Sequence, residues 1–174
     1  PKQQLLVVGA HHTGTSVVAR AIIEMGIFGG DPAKLLKHSS NPMKYWERED
    51  VVSTNQAVLN HRCEGNKNYF HSVFPWHGFG CFPSEQDSKV KTFDAIANVI
   101  AALNASSGNW VTKDPRLSLT LDEWMPHLDN PVCIATYRHP LSFASSMMAW
   151  GNRFGYVHWL HIWEIYMAAI VQHC

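Results

Sequence analysis

The residues best suited to chemistry fall in three short stretches of this chain. Gly9-Ala10-His11-His12-Thr13-Gly14-Thr15-Ser16 has the glycine spacing of a phosphate loop, G-x-x-x-x-G-K-[ST], where backbone N–H groups and a helix N-terminus surround a phosphate. Thr15 stands where that pattern has lysine, and His12 is the loop's candidate cation. Mg-nucleoside triphosphates rely on that lysine at their terminal phosphates, so a phosphate-bearing ligand without a γ-phosphate suits this loop better. Lys113-Asp114-Pro115-Arg116 ends a short strand-like segment and Arg138-His139-Pro140 follows an apolar one, and Arg138 offers a forked donor suited to an anion.

Positioning these stretches requires alternating strands and helices. Gln4 to Gly9 reads as a strand, and Gly14 to Met25 as the helix that follows the loop, ending near Gly26. Asp31 to Met43 is a polar connection, and a helix runs from Glu47 or Asp50 to about His61. Cys63 to Pro83, rich in Phe, Tyr, Trp, Gly and Pro, reads as a long irregular segment that could form a lid, an acceptor platform or a small satellite core. Ser84 caps a helix to Leu103, with Glu85 and Asp87 in its first turn and Val90, Phe93, Ile96, Ala97, Ile100 and Leu103 at helical spacing. Asn109–Lys113 is a short strand, Ser118 to Leu128 a helix, and Pro131 to Tyr137 a fully apolar strand of the buried, parallel type. Leu141 to Trp150 and Tyr156 to His173 read as two helices broken at Gly151 to Gly155. The sum is an α/β fold with a parallel sheet flanked by helices. Ligands bind such sheets at the carboxyl ends of the strands, which is where the three polar stretches fall.

Composition sets the outer bounds. A chain of 174 residues with 46% hydrophobic content makes one domain with a proper core, residues 1–174. Lys plus Arg equal Asp plus Glu at 14 each, so no global field recruits nucleic acid or an anionic membrane, and an anion site must be built locally. Cys63, Cys81, Cys133 and Cys174 show neither a C-x-x-C pair nor zinc spacing, which favours free thiols in a reducing, cytoplasmic setting. No signal peptide is evident in the opening residues, and the final helix carries His158, His161, Glu164 and Gln172, which argue against a membrane span. His158, His161 and Glu164 could mimic a metal face, but without supporting cysteines they read as ordinary core or surface residues.

Taken together, the motifs resemble the sulfotransferases that use 3′-phosphoadenosine 5′-phosphosulfate (PAPS), above all the bacterial and carbohydrate types. The first loop is similar to their G-x-x-R-S-G-T-[ST]; Arg138, Pro140 and Ser146 match their Arg-x-Pro run with a serine eight residues after the arginine. Lys113-Asp114-Pro115 is similar to their Lys-x-Pro strand end, and Asn41-Pro42 with Tyr45-Trp46-Glu47 to their N-P-x-x-Y-[FW]-E segment. The resemblance implies a P-loop-like three-layer domain, a chain that continues past Cys174 in most relatives, and sulfuryl transfer from PAPS to a small-molecule or carbohydrate acceptor without a metal. It assigns the phosphosulfate to His11, His12, Thr13, Gly14, Thr15 and Ser16 and the 3′-phosphate to Arg138 and Ser146. Glu47 becomes the base, with His12 or His11 as the alternative, and His12 or Lys113 the catalytic cation. His12 replaces the relatives' Arg or Lys, and Ser142 stands where many have Asp. A P-loop kinase and a non-catalytic nucleotide-binding module are the competing functions. Structural alternatives stand beside each residue: Arg138 as a cap, Lys113 as a solvated strand end, Glu47 as a first-turn carboxylate. Asp114 and Arg116 are expected to pair and brace their loop.

Overall fold

A computed structural model describes residues 2–36, 46–64, 89–106, 108–150 and 154–174, with backbone alone at 63–64 and 89–93. The expected roles of Asn41, Pro42 and Tyr45, most of the aromatic segment, the Ser84 cap with Glu85 and Asp87, and the break at 151–153 lie outside the described residues.

Strand β1 (Gln4–Val8) leads through the glycine loop into α1 (Thr15–Glu24), followed by α2 (Glu49–Glu64) and α3 (Lys89–Asn104). Strand β2 (Trp110–Lys113) precedes α4 (Leu117–Trp124); β3 (Pro131–Ala135) precedes α5 (Pro140–Ala149) and α6 (Tyr156–His173). The three strands form one parallel sheet in the order β2-β1-β3, with Leu5 beside Val111 and Val132. The α/β reading and the parallel sheet therefore stand.

Strand alternation divides the core. On one face Val7 packs with Ala19 and Ile22 of α1 and Val111 of β2. On the other, Leu6 and Val8 meet Val51 and Val58 of α2, Leu117 and Leu121 of α4, and Ile170 of α6. Ile96, Val99, Ile100 and Leu103 supply the buried face of α3, while Ala97, expected on that face, is exposed. Behind this layer, Phe143, Ala144 and Met147 of α5 pack against Trp159, Ile162 and Tyr166 of α6. The chain thus leaves β1 toward one face and its neighbours toward the other. That reversal opens a crevice at the carboxyl end of β1.

Two expectations need correction. The β3 segment is only half-buried: β2, at the opposite edge of the sheet, is fully covered, whereas the described packing leaves Pro131–Ala135 partly open. An apolar run reports attraction to a core but not how completely neighbouring elements cover it. Cys133 and Cys174 are joined in a disulfide, with Cα atoms 5.8 Å apart, rather than standing as free thiols. A separation of 41 residues conceals this pairing, which the return of α6 toward β3 brings about. No described helix is long and apolar enough to cross a membrane.

Candidate functional site

Local geometry sets the loop. Gly9, with φ of +156°, lets the chain turn off β1 against Thr136: a Cβ there would lie 2.0 Å from Thr136 Oγ1 and 2.6 Å from Thr13 Oγ1. The Gly9 N–H donates to Ser118 Oγ at 2.8 Å, and the Ser118 hydroxyl points back at the Gly9 carbonyl at 3.2 Å. Thus α4 braces the start of the loop. Thr13 turns inward, its hydroxyl donating to the Ala10 carbonyl at 2.7 Å and lying 2.7 Å from Thr136 Oγ1. Gly9→Ala is expected to lower stability by about 1–3 kcal/mol through overpacking. Gly14→Ala, whose Cβ meets nothing within 4 Å, should cost about 1 kcal/mol from its φ of +96° alone. Urea unfolding of the two variants checks the difference.

The crevice holds a cavity of about 460 Å³. Gly14, Thr15 and Ser16 bring the N-terminal end of α1 to it, with its partial positive charge. His11 and His12 line it from the loop, Lys113 from the end of β2, Arg138 from the turn after β3, and Ser146 from α5. Glu47 reaches it from the residues before α2. Among the residues proposed from sequence, Thr13 is the one that does not line the cavity. Its N–H is directed at the Ala10 carbonyl, 3.3 Å away.

Lys113 and Glu47 form a buried ion pair at 2.5 Å, their side chains 2% and 8% exposed. The connection to α2 sets Glu47 in place: Leu36 N–H donates to the Glu47 carbonyl at 2.7 Å, and Trp46 takes a left-handed φ of +58° just before it. Burial pushes the Glu47 carboxyl above its ordinary 4.5, against the pull of Lys113, and the neighbouring Asp114 charge adds to the rise. Asp114 is fully buried and, as expected, pairs with Arg116 at 2.9 Å. It also accepts from Asn55 Nδ2 at 2.8 Å. Asn55 in turn accepts from Thr120 Oγ1 and Trp124 Nε1, both at 2.8 Å. This chain of bonds ties α2, α4 and the Lys113 strand end into one unit, as a satisfied buried polar network does. The bracing roles of Asn55 and Ser118 gave no sequence signal: Asn55 lies within the polar run Ser53-Thr54-Asn55-Gln56 of a helical pattern, and Ser118 read only as a helix start.

Arg138 Nη1 donates to the His12 carbonyl at 2.9 Å. His12 Nδ1 and Ser146 Oγ lie 3.0 Å apart, and the His12 ring meets the edge of Trp150 at 5.1 Å between centroids. His12 also holds a left-handed φ of +60°, uncommon for a non-glycine residue. Trp150 lines the cavity and was missed from sequence, although it follows Ser146 by one helical turn. The suspected metal face on α6 amounts to an exposed His161–Glu164 contact at 3.8 Å, and no described group of His, Cys, Asp or Glu is arranged to hold a metal ion.

The site therefore combines a helix N-terminus, a strand-end lysine paired with a carboxylate, and an arginine–serine pair across one crevice. Such an arrangement can bind an extended ligand with two anionic groups and move a proton beside it. No protein-family model, curated protein or solved structure matches the chain.

Proposed function

We propose that this chain is a PAPS-dependent sulfotransferase domain acting on a hydroxyl or amine of a small-molecule or carbohydrate acceptor. One observation carries the reading: Gly14 to Ser16, Lys113, Glu47, Arg138 and Ser146, far apart in the chain, line a single cavity. The residues present fit the donor chemically, since its phosphosulfate and its 3′-phosphate call for two cationic or donor-rich ends, here the loop with Lys113 and the Arg138–Ser146 pair.

When bound, PAPS supplies an activated sulfuryl group. Thr15 and Ser16 at the start of α1 hold negative charge through the helix dipole and their hydroxyls. Lys113 holds charge that develops on the oxygens of the group in transfer. An anion near Lys113 competes with Glu47 for its ammonium. Glu47, whose basicity burial raises, then accepts the acceptor's proton at a carboxylate oxygen. Arg138 and Ser146 orient the 3′-phosphate. The Cys133–Cys174 bridge favours residence in a disulfide-permissive compartment in place of the cytoplasm.

Calorimetric titration with 3′-phosphoadenosine 5′-phosphate, set against ADP and against ATP with and without Mg, tests the reading. Metal-independent binding that prefers the 3′-phosphate is expected, and Arg138→Ala should weaken it by roughly 10- to 100-fold, the worth of hydrogen bonds to a charged group. Absence of bisphosphate binding, or Mg-dependent ATP binding in its place, would overturn it.

A further inference from the structure

We infer that anion binding in this cavity is proton-linked through His12, which decides whether Ser146 presents a donor or an acceptor to the ligand. The inference rests on the sulfotransferase reading only for the identity of the natural anion; the hydrogen-bond logic is that of any phosphate or sulfate.

Ser146 Oγ has one proton to donate, and its neighbour at 3.0 Å is a ring nitrogen that either donates or accepts. With His12 neutral and Nδ1 unprotonated, the serine hydroxyl donates to Nδ1 and turns lone pairs toward the cavity. That arrangement repels an oxyanion. Protonation reverses the bond: Nδ1–H donates to Ser146 Oγ, the serine O–H is released toward the ligand, and the imidazolium adds a positive charge. A neutral Nδ1–H tautomer also frees the serine, but brings no charge.

The backbone commits His12 to this role. Its left-handed φ is held by Arg138, which donates to the His12 carbonyl, and by Trp150 against the ring. Consequently the imidazole cannot swing away without breaking contacts from both the turn after β3 and α5. Among the described residues, the charged and titratable groups around it include Arg138 on its carbonyl side, His11 beside it in the loop, and Lys113 with Glu47 on the same cavity wall. Lys113 is ion-paired with Glu47, and Arg138 stays charged throughout. Among these groups His12 is the one within hydrogen-bond distance of Ser146, so its protonation changes both charge and hydrogen-bond direction there.

Inorganic sulfate is the appropriate probe because it stays a dianion across the range tested. Sulfate titrations followed by NMR should show affinity roughly tenfold higher at pH 5.5 than at pH 8, the equivalent of one unit of linked pKa. His12→Asn, which tolerates the left-handed backbone, should bind sulfate with an affinity nearly independent of pH. The ¹⁵N shifts of His12 in the unchanged protein provide a second readout: sulfate at pH 6.5 should drive the ring toward the doubly protonated form. Sulfate binding in the unchanged protein without pH dependence overturns the inference, as does pH dependence that survives in His12→Asn. Bisphosphate binding alongside either result leaves the sulfotransferase reading standing. Failure to bind both sulfate and bisphosphate removes the two together.

Discussion

Replacing Lys113 with methionine is expected to destabilise the protein by about 3–5 kcal/mol at pH 7.5, the cost of leaving one member of a buried ion pair alone. Both partners are nearly enclosed, at 2% and 8% side-chain exposure, and Asp114 next in sequence adds a second negative charge. Without the ammonium, Glu47 must either stay ionised in a poorly solvated place or take a proton. Its carboxyl already lies above the ordinary value in the intact protein, and removal of Lys113 pushes it higher. The sign of the pH dependence follows from linkage. With a folded value above the unfolded one, the native state binds more protons, so stability declines as pH rises from the unfolded value through the folded one. The deficit of Lys113→Met should therefore grow as pH rises and shrink as pH falls into the acid range, because the raised Glu47 carboxyl takes up its proton before the unfolded chain's does. Urea unfolding at pH 5 and pH 7.5 measures the difference directly. Combining Lys113→Met with Glu47→Leu should recover most of the lost stability, because an apolar pair removes both desolvation costs. A pH-independent deficit, or no recovery in the double variant, would show that Lys113 contributes by packing and not by charge.

The disulfide carries the second large effect. Cys133→Ser, or full reduction, is expected to cost about 4 kcal/mol, the chain-entropy value for closing a loop of 41 residues. The bridge ties the C-terminal end of α6 to the edge strand β3. α6 in turn packs on α5, which carries Ser146, and Trp163 Nε1 donates to the Arg138 carbonyl at 2.9 Å. Loss of the bridge should therefore weaken anion binding as well as lower the urea midpoint. Peptide mapping under non-reducing conditions identifies the pair, and unfolding with and without reductant gives the magnitude. A midpoint insensitive to reductant would mean that α6 is held by its apolar face alone.

Most of the framework was legible from period and punctuation. The apolar run from Leu5 to Val8 closed by Gly9, the helix spacing of Ile96, Ile100 and Leu103, and the helix read from Leu141, one residue past its observed start at Pro140, are local signals with local causes: a buried strand ended by a glycine and amphipathic burial. Because parallel strands put their carboxyl ends together, three polar stretches following three strands had to share one edge. Convergence of the loop, Lys113 and Arg138 therefore needed no coordinates.

Pairings between distant residues did need them. Thr13 sits in the middle of the phosphate-loop pattern, yet its hydroxyl and N–H both go to the Ala10 carbonyl. Asn55 proved to be the bond that joins α2 to Asp114, Cys133 met Cys174, and an apolar strand of buried type came to rest at an edge. Glu47 found Lys113, and His12 found Ser146. A residue type states which bonds a side chain can make, and its spacing states which face of an element carries it. Which partner arrives there is settled by how helices and strands pack, a property of the whole chain's burial that no local stretch encodes.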